Sequence, residues 1–212
     1  MRFENLADIE SKDAELIKLG NLPGIISITD YAKEKSQVIC DYIRHKYRSV
    51  EWYGFLIADR NNPELIIDVG LGKNNTNSSG YTNIIPEEIE KFEYKLDKDK
   101  IINGWIHSHG SLGLKTFSQT DRDNHRTVLC YVTSGLKRPL YKKEILTDDI
   151  SLLVKGKYKE DDMKEGCITA ITDKKIEDIK LYHGIYGGFS YSIVVGNQGL
   201  YDQTIYYKRY SN

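Results

Sequence analysis

The sequence predicts an α/β protein, a mixed β-sheet flanked by helices and finished by a C-terminal β-hairpin. Three observations carry that expectation. Apolar runs of strand length, such as 52–58 and 101–106, alternate with stretches that have helical spacing and good caps. Turn-forming clusters separate them, at Pro23-Gly24, at Asn61-Asn62-Pro63 and at Gly196-Asn197-Gln198-Gly199. The 212 residues, 40% of them hydrophobic, are enough for one sizeable core, and we read 1–212 as a single domain.

Taken in order, residues 1 to about 22 are charged and weakly patterned, and Ile25–Ile28 reads as a short strand. Thr29 and Asp30 offer an N-cap to a helix reaching about Tyr47, with Val38, Ile39, Tyr42 and Ile43 as its apolar residues. Glu51 opens the run Trp52–Ala58, apolar enough to be buried on both faces, and Leu65–Val69 returns as its hairpin partner. From Gly72 to Asn83 there is almost nothing to bury, so a loop or flap at a functional edge is expected. Pro86-Glu87-Glu88 begins a second helix, with proline and acids in its first turn, that ends near Asp97. Ile101–Ile106 is a strand running directly into His107-Ser108-His109. The stretch from about 134 to 180 is dense in Lys, Asp and Glu, with strand-like pieces at 150–154 and 167–171, and reads as an elaboration of the main fold. Runs 189–195 and 203–207 flank the last turn as a hairpin.

Composition narrows the function. Thirty Lys+Arg against 31 Asp+Glu leave a net charge of -1, which argues against generic nucleic-acid binding. No apolar run has the roughly 18 residues of a membrane span, and the polar N-terminus is unlike a secretory signal. Cys40, Cys130 and Cys167 are odd in number and lack metal-finger spacing, so they read as reduced, ordinary buried residues of a cytoplasmic protein. The 16 Tyr against 5 Phe suit a contact surface that is apolar on one side and wet on the other.

The chemistry gathers in three places. His107 and His109, two apart at a strand end, share a face and can reach one metal ion. Ser118-Gln119-Thr120-Asp121 is a helix start from which Asp121 can supply an oxygen ligand. Glu51 is a carboxylate at the start of a buried strand, where packing gives it no reason to be. Two histidines and a carboxylate leave a fourth position for water, the pattern of a catalytic zinc site. His125, one turn beyond Asp121, reads as a solvated helix residue, and His45 and His183 have no companions.

Glu51-x-x-Gly54-Phe55-Leu56, then Gly104-Trp105-Ile106-His107-Ser108-His109, then Ser118-x-x-Asp121 resembles the signature of the JAMM/MPN zinc metalloproteases. The likeness covers roughly residues 25 to 125, and its small size is similar to the bacterial or phage-like branch. The resemblance implies an MPN-like (cytidine-deaminase-like) fold and one zinc ion per chain. His107, His109 and Asp121 would be its ligands, Glu51 the general acid/base and Ser118 the donor to the oxyanion. It implies an isopeptidase or peptidase acting at the C-terminus of a ubiquitin-like protein or tag, with partner proteins from the same operon. A non-catalytic MPN scaffold and a phage assembly peptidase are the alternatives. Two departures stand out: Gly110 replaces the usual proline, and eight residues rather than seven separate His109 from Ser118.

Overall fold

The computed structural model describes residues 15–48, 50–73, 84–109, 116–145, 150–163, 166–176, 179–196 and 201–211. They form a mixed α/β structure whose chain divides into two compact units. One unit comprises Leu22–Arg138 and Gly187–Lys208; the other gathers the described parts of Met1–Asn21, Pro139–Tyr186 and Arg209–Asn212.

The first unit is three layers deep. Its strands are β2 (Ser27–Ile28), β3 (Trp52–Asp59), β4 (Asn62–Leu71), β5 (Lys100–Ser108) and the later part of β9 (Leu181–Val195), in the order β9-β5-β3-β4-β2. β3 pairs antiparallel with β4 and β5, whereas β5 runs parallel to β9, so the sheet is mixed. β10 (Tyr201–Ser211) pairs with β9. Helix α1 (Asp30–Tyr47) starts at Thr29, whose hydroxyl accepts the Ala32 N–H at 3.2 Å, and packs on one face. On that face Leu56, Ile106, Tyr191, Ile193 and Val195 meet Ala32, Cys40 and Ile43. Helices α2 (Pro86–Glu93) and α3 (Gln119–Gly135) cover the other, where Phe55, Ile102 and Trp105 meet Ile89, Val128 and Val132. Gly104 keeps φ at +155°, and a Cβ there would collide with the Tyr191 carbonyl. Only glycine lets β5 and β9 approach so closely at this point.

In the second unit, β1 (Leu16–Lys18) pairs antiparallel with β6 (Arg138–Ile145), and β7 (Ile150–Val154) pairs parallel with β8 (Ile168–Thr172). Among the described residues no helix is long and apolar enough to cross a membrane.

Several sequence expectations need correction. Half of the expected α1 stripe faces the core: Ile43 is buried and Ile39 packs against the core, whereas Val38 and Tyr42 are exposed. Ala32, Ser36 and Cys40, small residues that let the helix lie close on the sheet, complete the buried face. Helix α2 ends at Glu93, four residues before Asp97, and the chain continues in turns. Cys40 is buried as expected, but Cys130 is exposed and Cys167 half-buried. The stretch 74–83 of the expected flap, and 110–115 of the loop between His109 and Ser118, lie outside the described residues.

Candidate metal centre

Strand β5 brings His107 to its C-terminal end with the ring packed flat on Trp105, centroids 4.2 Å apart and planes 9° from parallel. His109 follows just beyond the strand, its ring edge-on to His107 at 4.9 Å. Facing them is the first turn of α3, fixed by a reciprocal cap. The Ser118 hydroxyl accepts the Asp121 N–H at 3.2 Å, and the Asp121 carboxylate accepts the Ser118 N–H at 2.6 Å. This cap aims the remaining lone pairs of Asp121 at the histidines. Asp121 Oδ1 lies 3.1 Å from His107 Nε2, and Oδ2 lies 3.6 Å from His109 Nε2.

Glu51 stands immediately before β3, whose Trp52 lies opposite Ser108. That register sets its carboxylate beside His109, with Oε1 at 3.5 Å from Nδ1. All four side chains are buried, at 2 to 7% exposure, although none is apolar.

Burial decides the electrostatics. It pushes the Glu51 carboxyl above the ordinary range, partly opposed by His109 and reinforced by Asp121. It lowers His107, whose imidazole stays neutral and able to donate a lone pair. For Asp121 burial alone would act upward, but His107 and the Ser118 cap outweigh it and hold the carboxylate ionised. A neutral imidazole beside an ionised carboxylate is the protonation state a metal ion requires.

The residues fit a metal ion on a further ground. One donor atom from each of His107, His109 and Asp121 lies within 4.8 Å of the other two. The Nε2 atoms of both histidines are fully buried and face the Asp121 carboxylate without a well-aligned hydrogen bond. Buried nitrogens so poorly bonded are costly, and a cation shared between them and the carboxylate removes that cost.

The chain matches no family model and no curated protein.

His107, His109, Asp121 and Glu51, all singled out from the sequence, come together. Ser118 sits within the same turn, partly occupied as the cap and exposed to solvent. A hydroxyl that accepts one bond keeps a proton to donate.

His125 requires correction. It is completely buried, stacked on Tyr206 of β10 with centroids 3.7 Å apart, and burial drives its pKa down to about 3. The signal that could have found it was its spacing: four residues after Asp121, it shares that helix face. Asn124 was also passed over; its Oδ1 accepts the Ile84 N–H at 3.0 Å and anchors the chain entering α2.

Proposed function

We propose that this protein is a zinc-dependent peptidase or isopeptidase acting at the C-terminus of a ubiquitin-like protein or tag. The observation that carries the reading is the convergence of His107, His109 and Asp121 in one buried cluster, with the Glu51 carboxylate 3.5 Å from His109. The resemblance of these residues and their spacing to the JAMM/MPN signature supplies the reaction class.

His107, His109 and Asp121 would hold the ion. A zinc ion bound by three protein ligands supplies Lewis acidity and a water whose pKa falls to roughly 7. The proton work falls to Glu51. Its carboxyl, raised by burial, is suited to take a proton from the attacking water and return it to the leaving amine. The Ser118 O–H is the chain's donor to the oxygen on which charge develops. The dry surroundings, with Trp105 stacked under His107, strengthen each of these interactions and hold the ligands still.

Glu51→Gln tests the assignment, because glutamine is nearly isosteric yet cannot accept the proton. We expect zinc content and fold to be kept, while cleavage of a ubiquitin-like fusion falls by about 10²–10⁴-fold. Full cleavage with full zinc would remove Glu51 from the mechanism, and lost zinc would make it a ligand instead.

A further inference from the structure

Behind the ligand cluster lies a second group of buried polar atoms that the proposed chemistry does not use. Strand β9 carries Ser190 and Ser192, two apart and so on one face, and both are completely buried. The parallel register sets Ser192 beside Trp105 and Val194 beside His107, so this is the face that α3 covers. At the other end of the same contact, a Cβ on Gly188 would strike Thr133, which shows how closely α3 lies on β9.

His125 projects from α3 into this layer, one turn below Asp121, and Tyr206 closes over its ring. Its surroundings include the Ser190 backbone carbonyl, which stands within reach of a ring N–H, and His107, whose field reaches it.

Six heteroatoms in this layer are buried and make no well-aligned hydrogen bond, the nearest approach being that of His125 to the Ser190 backbone. They are both ring nitrogens of His125, the hydroxyls of Ser190 and Ser192, the indole nitrogen of Trp105, and Nδ1 of His107. A neutral imidazole offers one donor and one acceptor, each hydroxyl offers both, and an indole offers a donor. The set is complementary, and native interiors very rarely leave such groups unpaired. Small buried polar spaces are ordinarily bridged by ordered water with two to four polar partners. The His107 nitrogen adds a functional reason. A metal-ligating histidine almost always donates its second N–H, which fixes its tautomer and ring orientation. With Nε2 turned to Asp121, Nδ1 is the nitrogen that needs an acceptor.

We propose that His125, Ser190 and Ser192 form a buried water-binding site that holds His107 in position from behind, making His125 a positioning residue of the metal centre. The link to the ligands rests on the metal reading above; the water site itself does not.

The test has two arms. The first is a crystal structure of the full-length, metal-stripped protein at a resolution that shows ordered solvent. The expected result is a water within hydrogen-bond distance of a His125 ring nitrogen and of Ser190 or Ser192 Oγ. A dry layer, or His125 bonded only to protein atoms, would overturn the site. The second arm measures zinc affinity by competition with a chromogenic chelator. His125→Phe, which keeps the stack on Tyr206, and the Ser190→Ala/Ser192→Ala double variant should each weaken zinc binding by about 10–100-fold. His125→Gln, able to hydrogen-bond, should recover part of the loss. Unchanged affinity in both variants would refute the positioning role. A wild type that takes up no zinc would overturn the metal reading and with it the link to the ligands, while the solvent density still decides the water site.

Discussion

The two faces of the central sheet are equally dry and differently made. Toward α1, the strands β3, β5 and β9 present Leu56, Ile106, Tyr191, Ile193 and Val195. Toward α3, the alternate positions are Phe55, Trp105, His107, Ser190 and Ser192, and α3 answers with Asp121, Asn124 and His125. Strand alternation lets neighbours such as Ile106 and His107 serve opposite purposes. A one-residue slip of β5 would bury His107 against the apolar α1 face. The close, glycine-dependent contact of Gly104 with Tyr191 opposes that slip. One face therefore contributes stability, and the other gives some up to hold polar groups where chemistry needs them.

That contrast can be broken experimentally, and acid should do it most severely. His125 has its pKa depressed to about 3 from an ordinary 6.5, so the fold accepts only the neutral ring. The stability this gives is complete above pH 6.5 and is lost as pH falls toward 3. A difference of that size corresponds to as much as about 5 kcal/mol at the acid end. Urea unfolding across this range should show a steep loss in the wild type and a flatter one in His125→Phe. Equal slopes would mean that the α3 face carries no such cost.

On the α1 face, Ile106→Ala should cost about 2–5 kcal/mol, since the side chain is fully buried in packed apolar surroundings. The candidate metal cluster of His107, His109 and Asp121 would be untouched. Its neighbour should lose stability for a different reason. His107→Leu fills the space with apolar atoms but takes away the group 3.1 Å from the buried Asp121 carboxylate, so the metal-free variant should lose about 1–3 kcal/mol. It should also fail to hold zinc. Pairing it with Asp121→Asn should recover most of the metal-free loss; no recovery would show that the ring itself is structural. The smallest effect is expected at the Lys35–Asp68 ion pair, 2.6 Å long but with both side chains about one-third exposed. Lys35→Ala should change unfolding stability by no more than about 1 kcal/mol.

What could be read in the sequence follows the same division. Strands β3 and β5 were legible because runs such as Trp52–Ala58 are apolar at every position, which only a strand buried on both faces explains. The convergence of His107, His109 and Asp121, with Ser118 in the same turn, was legible because they lie close in the chain, so local geometry suffices to bring them together. The buried face of α1 was legible only in Ile39 and Ile43. Val38 and Tyr42 are larger than Ala32 and Ser36, yet close helix–sheet approach favours small residues. His125 was missed for a different reason. Its one local signal was its spacing from Asp121 on α3; its lid, Tyr206, comes from the last strand, far along the sequence, and that long-range closure leaves no local pattern to read.

The central claim is that the polar face exists to hold a metal ion, and metal analysis of the purified full-length chain tests it most directly. The account predicts about one equivalent of zinc per chain in the wild type and in Ile106→Ala, and most of it gone in His109→Ala. A wild type free of metal, and unable to take up zinc on reconstitution, would contradict it.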